Sequence, residues 1–391
     1  MSLPVFHRTA LAEKIARLVL TTGIGTASSS GLFLAAPRRT GKSTFVREDL
    51  RPALSKAGAV VMYVDLWANK QTDPGILIVN TVREELAKHE GIVTRLAKSA
   101  GMDKVSVGGI AFSLDRIGLG KEVSLSTALA ALSDEVKAPI ALLIDEAQHS
   151  ITTDAGYSAL FALKAARDEL NSSDHYGLRI VATGSNRDKL AMLRNSKDQA
   201  FFGAPLVSFP TLGREYVEWF CSGVDLSAKL DVDRVFQLFA DASFRPEILA
   251  AAADDLRFNF DLGSAGVAEE FGKAVSAQIE AADAQTMRVI RSLTPLQSVV
   301  LRVLTVQAEQ YAPFDEESMT LYKNALKKMA PEERLIPDLS NVQQSLAALQ
   351  EKGLVWREKR GVYALEESTT AELLKARGLL DIFKSKGPSG P

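Results

Sequence analysis

The residue pattern most specific for chemistry in this chain is a glycine-lysine-serine triplet that closes a short loop. The segment Ala36–Ser43 reads Ala-Pro-Arg-Arg-Thr-Gly-Lys-Ser and follows the apolar run Leu32–Ala35. It fits the phosphate-binding pattern G-x-x-x-x-G-K-[ST] except at the first position, where Ala36 replaces glycine. Alanine is costly there only if the position needs a positive φ. The pattern therefore predicts a loop that binds nucleotide phosphates.

The residues of this loop have roles that follow from their chemistry. Gly41 allows the backbone to approach phosphate, and the amides from Thr40 to Thr44 converge at a helix N-terminus. The Lys42 ammonium is predicted to contact the β- and γ-phosphates, and the Ser43 hydroxyl to ligate Mg²⁺. The predicted ATP-binding residues of the loop are Ala36, Pro37, Arg38, Arg39, Thr40, Gly41, Lys42, Ser43 and Thr44.

Two adjacent carboxylates follow a second apolar run. The run Ala141–Ile144 leads directly into Asp145 and Glu146. Asp145, at the end of a buried strand, can hold Mg²⁺ and its water shell, and Glu146 can polarise the water that attacks the γ-phosphate. The alternative is a strand that ends in solvated acids. We expect the two motifs to lie on neighbouring strands, where together they predict a slow Mg²⁺-dependent ATPase.

Three polar residues follow a third apolar strand, Arg179–Ala182. They are Thr183, Ser185 and Asn186, and a polar side chain at this place can position the attacking water. We name Asn186 as the catalytic candidate, although the sequence does not choose among the three and an ordinary turn also explains them.

An arginine directly precedes a helix that begins with proline. Arg245 stands before Pro246, and from a helical domain it can reach a γ-phosphate and couple the position of that domain to the nucleotide state. The alternative for Arg245 is a surface ion pair.

The order of apolar runs defines the expected fold. Unbroken runs, such as Val60–Val64 and Ile140–Ile144, alternate with helical patterns over the first two hundred residues. Strands buried on both faces of a parallel sheet have this composition. The segment 101–120 reads as a hairpin around Gly108-Gly109. From about residue 212 only helical patterns follow, up to a third pattern that begins near residue 288.

This last pattern predicts a winged helix. Thr294-Pro295-Leu296-Gln297 and Ser340-Asn341-Val342-Gln343 both read as capping boxes, and the helix after the second ends at Gly353. Two short strands with a turn at 358–361 then form the wing. The expected domains are 1–212 (α/β, nucleotide-binding), 213–286 (helical lid), 287–368 (winged helix) and 369–391 (a helix and a disordered tail).

Polar side chains of this region suit double-stranded DNA. Asn341 and Gln344 on the helix can read adenine edges, and Arg357, Lys359 and Arg360 on the wing can meet phosphates. Winged helices also serve as protein-docking or packing modules, so a partner protein is the alternative.

Composition excludes several other classes of protein. The chain has 391 residues, a formal charge of −2 and no apolar stretch near the ~18 residues of a membrane span. Cys221 is the only cysteine, and the four histidines are scattered, so a disulfide framework and a histidine metal site are excluded. The start of the chain has no secretion signal. We expect a cytoplasmic protein with no membrane partner.

Taken together, the motifs resemble the AAA+/STAND superfamily, in particular its bacterial and archaeal branch with an origin-recognition-like arrangement and a C-terminal winged helix. The residues that carry the resemblance are Ala36–Ser43, Asp145-Glu146, Ala182–Asn186 and Phe244–Pro246. It implies an α/β P-loop NTPase fold with a parallel sheet and a helical lid, followed by a winged-helix domain. It also implies that Phe6 and Arg8 lie in the base pocket, although a plain helix cap is an alternative.

One position departs from the family. Members of the branch often have an arginine where Ala204 stands, after Phe202-Gly203, and this arginine acts across subunits. Arg187 and Arg194 are candidate substitutes in this chain. Because the family's arginine is missing at position 204, the resemblance does not imply a ring-forming motor.

Two functions fit these motifs. The first is an ATP-dependent molecular switch whose nucleotide state is coupled to DNA binding through the winged helix. The second is a STAND-type signalling scaffold, in which ATP controls protein association without DNA. The sequence leaves open whether the protein forms a homo-oligomer.

Overall fold

The computed structural model describes residues 4–383 except 22–26, 70, 90, 93–95, 97–117, 119–122, 173–174, 196–198, 262, 264–265, 335, 360 and 368. The chain divides into two compact units. The first comprises residues 1–36 and 41–210, and the second comprises 37–40 and 211–391. The sequence placed the first boundary at 212, two residues later. The further division of the second unit into lid and winged helix stays a prediction.

A five-stranded parallel sheet forms the centre of the first unit. Its strands are β1 (Leu32–Ala35), β2 (Val60–Asp65), β3 (Ile140–Asp145), β4 (Leu178–Gly184) and β5 (Leu206–Ser208). Their order across the sheet is β2-β3-β4-β1-β5. All residues of β3 and β4 are buried, which explains the unbroken apolar runs Ile140–Ile144 and Ile180–Ala182 within them.

The expectation that the two phosphate motifs lie on neighbouring strands is wrong. Strand β4 pairs with β1 on one side and with β3 on the other, so it separates the strand before Lys42 from the strand before Asp145. A crossover connection allows a later strand to insert between two earlier ones, and the order of strands along the chain does not reveal this. The sequence also missed β5, a three-residue edge strand with exposed side chains.

Helices cover this sheet. They are α1 (Thr9–Leu20), α2 (Lys42–Phe45), α3 (Arg51–Lys56), α4 (Pro74–Leu86), α5 (Leu125–Val136), α6 (Asp154–Ser172) and α7 (Arg187–Ala191), and a π-helical turn, Val46–Leu50, joins α2 to α3. Helix α1 contributes Ala12, Ile15, Ala16 and Val19 to a core shared with α2, α3 and the sheet. The predicted hairpin at 101–120 lies outside the described residues, apart from Gly118.

The second unit begins with four helices. They are α8 (Arg214–Gly223), α9 (Val232–Asp241), α10 (Pro246–Arg257) and α11 (Val267–Arg291). Aromatic rings join them: the Tyr216 and Phe239 ring centroids lie 5.2 Å apart, and those of Phe220 and Phe271 lie 6.2 Å apart. Helix α11 is longer than the predicted Val267–Ala282, because Met287 and Ile290 are buried and continue its apolar face.

The remaining elements follow the order expected for a winged helix. They are α12 (Pro295–Gln307), α13 (Glu316–Met329), α14 (Leu339–Glu351), β6 (Val355–Lys359), β7 (Val362–Leu365) and α15 (Thr369–Ala376). Strands β6 and β7 pair antiparallel, and side chains from all these elements share one hydrophobic core. Within this core the hydroxyl groups of Tyr311 and Tyr322 are 2.6 Å apart and hydrogen bonded.

Of the two predicted capping boxes, one is confirmed and one is displaced. Thr294 and Gln297 form the box of α12. The box of α14 is formed by Asp338 and Asn341 instead of Ser340 and Gln343, so the helix begins at Leu339. The Asp338 carboxylate accepts the Asn341 amide and the Asn341 side chain accepts the Asp338 amide, so both groups are satisfied two positions earlier than predicted. Gly353, at φ 69°, ends this helix as predicted.

Among the described residues no helix is both long and apolar enough to cross a membrane.

Candidate nucleotide-binding site

The base of the phosphate loop is held by the sheet and by a short helix. Ala36 donates its amide to the Gly184 carbonyl at 3.1 Å, and its φ lies outside the left-handed region, so alanine is tolerated at this position. Gly41 has φ 82°, a conformation that favours glycine, and it caps α2. Lys42, Ser43 and Thr44 follow as the first turn of α2, which gives their amides the orientation that binds anions.

The tip of the loop, residues 37–40, groups with the second unit. Thr40 is buried and donates its hydroxyl to the Pro37 carbonyl at 2.8 Å. Arg38 donates to the Glu367 carboxylate at 2.9 Å, through side chains that are both about one-third to one-half exposed. Arg39 has φ 63°, a strained value for a residue with a side chain.

Lys42 is the cation at the centre of the site. Its side chain is only 4 % exposed, and Nζ lies 2.7 Å from Glu146 Oε1 and 3.9 Å from Asp145 Oδ1. The two motifs are thus brought together even though β4 separates their strands, because Lys42 reaches across the C-terminal edge of the sheet. A buried ammonium with two carboxylates has the charge and reach to exchange one of them for phosphate.

Glu146 is fixed by three side chains. Besides Lys42, its carboxylate accepts from Ser185 Oγ at 2.7 Å and from Gln148 Nε2 at 2.5 Å. Burial alone would raise the pKa of Glu146, but the charge of Lys42 and the three hydrogen bonds outweigh it and hold the pKa at about 2. The residue also has φ 53°. Glu146 is therefore an ionised carboxylate in a constrained position, as a group that orients water needs to be.

Asp145 is completely buried at the end of β3. Its Oδ1 accepts from the Thr183 hydroxyl and from the Glu146 amide at 3.1 Å, and its Oδ2 accepts from the Tyr63 hydroxyl at 3.3 Å. Asp65, the partner of Asp145 in register on β2, adds a further acid at this edge. Burial, with contributions from Asp145 and Glu146, raises the pKa of Asp65. The sheet edge is thus strongly acidic around Lys42.

Removing one donor from Asp145 should lower stability. In Thr183→Val the shape of the side chain is kept, but a buried carboxylate oxygen loses its hydroxyl partner. We expect the free energy of unfolding, measured by urea titration, to fall by about 1–3 kcal/mol. Thr152→Val is the matched control, because the Thr152 hydroxyl is exposed and donates to the His149 carbonyl. Equal stability of the two variants would contradict the role of Thr183.

The three polar residues after β4 have different contacts. Thr183 contacts Asp145, Ser185 contacts Glu146, and the Asn186 side chain accepts the Lys189 amide at 3.0 Å as the cap of α7. Asn186 is 2 % exposed. The catalytic role of Asn186 stays a prediction, and the geometry directs attention to Ser185, which touches the carboxylate proposed to orient water.

The described residues contain no group of three or more His, Cys, Asp or Glu side chains that could hold a metal by themselves. Mg²⁺ keeps several waters and binds one or two protein oxygens together with substrate phosphates. The Ser43 hydroxyl and the Asp145 carboxylate are oxygen ligands of that kind. When bound, Mg²⁺ would neutralise phosphate charge during transfer. Its ligation by Ser43 and Asp145 stays a prediction.

The two residues expected at the base pocket lie in the N-terminal segment. Arg8 donates from Nη1 to the Pro210 carbonyl at 2.7 Å, and its guanidinium lies 4.9 Å from the Phe209 ring centroid and 6.0 Å from that of Phe45. The Arg8 amide donates to the buried Asp49 carboxylate, as expected of a segment fixed against the helix after the loop. Phe6 is half-buried beside it. Their contact with a base stays a prediction.

In the second unit, Arg245 caps α10 and donates from Nε to the Ala242 carbonyl at 2.9 Å. The next glutamate, Glu247, has both carboxylate oxygens buried without a hydrogen-bond partner. Burial raises the pKa of Glu247, and the charges of Arg245 and Arg39 oppose this. The contact of Arg245 with a γ-phosphate stays a prediction.

The residues expected to contact DNA differ in their exposure and in the contacts that their side chains form. Gln344 and Arg357 are exposed, and the Arg357 guanidinium lies 5.9 Å from the Tyr363 ring centroid. Asn341 is engaged: its Oδ1 accepts the Asp338 amide and its Nδ2 donates to the Ile336 carbonyl at 2.9 Å. Asn341 would have to break both of these hydrogen bonds before its side chain could bind a base. Lys359 ends β6, and Arg360 lies outside the described residues.

Sequence reasoning missed Tyr63, Gln148 and Asp65 in the site. A signal existed for Asp65, because it follows the apolar run Val60–Val64 as Asp145 follows Ile140–Ile144. Parallel strands end at the same edge of a sheet, so two such acids are expected to be near each other. Tyr63 and Gln148 carry no such signal, because their roles depend on the pairing of β2 with β3 and on the turn after β3.

Solved structures support the fold. A Walker-type ATPase of Pyrococcus abyssi matches with TM-score 0.51 and 16% identity over 95% of this chain and 96% of its own. The ORC2 protein of Aeropyrum pernix, in its ADP form, matches with TM-score 0.55 and 14% identity over 98% and 97%. No family model matches the chain, and no curated protein does. The chain therefore shares the fold of these two structures, an α/β P-loop NTPase fold with a parallel sheet.

Proposed function

We propose that the protein binds and hydrolyses ATP as a molecular switch, and that its nucleotide state is coupled to DNA binding through the C-terminal winged helix. The observation that carries the proposal is the 2.7 Å contact of Lys42 Nζ with Glu146 Oε1 at the end of a phosphate-loop pattern. The contact joins the residue type that binds the γ-phosphate to the residue type that orients water.

The exchange of partners by Lys42 supplies the switch. In the structure, the buried ammonium of Lys42 is neutralised by Glu146. A γ-phosphate offers Lys42 an anion with more oxygens, so Lys42 leaves Glu146 for the phosphate. The released carboxylate keeps its bonds to Ser185 and Gln148 and can accept a proton from water as the phosphoryl group is transferred. ATP binding thus frees Glu146 to act as a base, and phosphate release restores its ion pair with Lys42.

Mg²⁺, held by Ser43, Asp145 and the phosphates, belongs to this proposal, as does a cytoplasmic location. The acidic residues Asp65, Asp145 and Glu146 at the sheet edge support a cation at this place, because they exceed the single charge of Lys42. A homo-oligomer or a partner protein is compatible with the fold. Ala204, which is buried, stands where the resemblance places the intersubunit arginine.

The experiment that tests the switch measures ATP turnover and DNA retention together, at two salt concentrations, with and without a mixed-sequence duplex. DNA-stimulated turnover with salt-sensitive retention is the expected result. ATP binding with no effect of DNA would favour the second function, a signalling scaffold. In that case the protein's mass in solution should change with nucleotide, and the winged helix would serve as a protein-docking module.

The wing should carry the phosphate contacts. Replacing Arg357, Lys359 and Arg360 together by alanine removes three positive charges, so DNA retention should fall and the slope of log affinity against log salt should decrease by about 3. A filter-retention assay over a series of salt concentrations measures both effects.

The control for the wing variant removes the same charge elsewhere on the surface. Alanine replaces three exposed lysines of the first unit: Lys14, Lys56 and Lys88. This control should leave the salt slope unchanged. If both triple variants lose affinity equally, net charge would explain the binding and the wing would have no special role.

A further inference from the structure

A cavity of about 490 Å³ lies within the second unit, between the end of α11, helix α12, the end of α13 and the residues that follow α15. It is lined by Met287, Ile290, Arg291, Leu293, Pro295, Ser298, Arg302, Met329, Ala330, Arg377 and Leu379. None of these residues belongs to α14 or to the strands β6 and β7. The cavity is therefore separate from the residues proposed to meet DNA, and from the phosphate loop.

The cavity combines an apolar wall with three arginines. Helix α11 places Met287, Ile290 and Arg291 on one face, at the spacing of one helical turn, and α12 places Ser298 and Arg302 one turn apart. Arg377 follows the end of α15. The described lining residues include three arginines and no carboxylate. A small ligand with one anionic group and an apolar body matches this distribution of charge.

Arg302 gives the strongest indication of a missing anion. Its Nε is buried and has no hydrogen-bond partner among the described residues. Burial lowers the pKa of Arg302, with no charged neighbour offsetting the loss of solvent. A buried N–H without an acceptor is unfavourable, and Arg302 is only half-buried and lines the cavity, so its guanidinium can meet an anion there.

We propose that this cavity binds a small organic anion, in which a phosphate or a carboxylate meets Arg302 and Arg291 while a short apolar chain lies against Met287, Ile290 and Met329. The position of the cavity on both α11 and α12 would let such a ligand stabilise the junction where these two helices meet. The proposal does not depend on ATP or DNA binding.

Calorimetric titration of the full chain tests the proposal with four probes: hexyl phosphate, hexanoate, inorganic phosphate and hexanol. Hexyl phosphate or hexanoate should bind more tightly than inorganic phosphate, which lacks the apolar chain, and than hexanol, which lacks the charge. The tighter of the first two identifies the anionic group. Equal binding of hexanol and both anions, or no binding of either anion, would overturn the proposal.

Variants locate the binding. Arg302→Gln should weaken the tighter probe about tenfold or more, because a charge-assisted hydrogen bond is lost. Arg291→Gln, at an exposed position, should weaken it as well without placing the fold at risk. Arg288→Gln is the matched control, since Arg288 is exposed on the same helix and does not line the cavity. Equal affinities in all three variants and the wild type would overturn the proposal.

The phosphate loop must be excluded as the site of the probe. Lys42→Ala should retain hexyl phosphate binding, because Lys42 is not part of the cavity. Loss of the probe in this variant together with full binding by Arg302→Gln would place the anion at the loop and overturn the inference. Loss of ATP binding alone would leave the cavity proposal standing.

Discussion

Lys42→Ala should abolish measurable ATP binding. The substitution removes the ammonium that lies in the first turn of α2, 4 % exposed and directed at two carboxylates. With alanine, the site keeps the negative charges of Asp145 and Glu146 but loses the ammonium that compensates them. The site then repels the negatively charged triphosphate. We expect the affinity for ATP to fall by more than about 100-fold. Calorimetry or a fluorescent ATP analogue measures this change.

A matched lysine shows whether the loss is specific. Lys56→Ala removes the same charge from α3, where the side chain is 80 % exposed and pairs with Glu13 at 3.4 Å. This variant should bind ATP as the wild type does. Far-ultraviolet circular dichroism of both variants checks the fold, because Lys42→Ala also leaves the buried Glu146 carboxylate without its cation. Retained ATP affinity in a folded Lys42→Ala protein would remove the phosphate site from residues 36–43.

Glu146→Gln should separate binding from turnover. Glutamine keeps the size of the side chain and an oxygen that accepts from Ser185, but it cannot take a proton from water. We expect the turnover number to fall by about 10²- to 10⁴-fold, the range for loss of a positioned base. ATP binding should be at least as tight as in the wild type, because Lys42 no longer forms an ion pair that ATP must break.

The pairing of these two effects is the specific signature of the proposed switch. Steady-state turnover and equilibrium ATP affinity are measured on the same preparation, with Glu13→Gln as the control at an exposed carboxylate on α1. Unchanged turnover would move the catalytic role away from Glu146. Weaker ATP binding would mean that Glu146 stabilises the nucleotide complex, in conflict with the exchange of partners by Lys42.

Some features of the fold were determined by local sequence. Strands β1 and β3 begin where their apolar runs begin, because strands buried on both faces need unbroken apolar residues. Helix α10 begins at Pro246 and α12 at Pro295, as predicted, because proline suits the first helical position. Gly353 ends α14 for a similarly local reason. Such signals require only the residue and its near neighbours.

Other features depended on contacts between distant residues. Strand β4 inserts between β1 and β3, and only this order places Thr183 on Asp145 and Ser185 on Glu146. The sequence identified both side chains as candidates but could not assign them. Asn341 is a similar case. Its amide side chain is of a type that can bind a base, but the structure places it in the capping box of α14.

By itself, then, the sequence determined the strands that precede the two motifs, and it predicted phosphate and carboxylate chemistry from the residue types Gly41, Lys42, Asp145 and Glu146. The tertiary structure decided which groups meet. Hydrogen bonds to Asp145 and Glu146 come from residues 38 to 104 positions away or from the adjacent turn. Arg302 lines its cavity because α11 and α12 pack together. Contacts between such distant residues depend on strand order and helix packing, and the residue types at single positions do not reveal either.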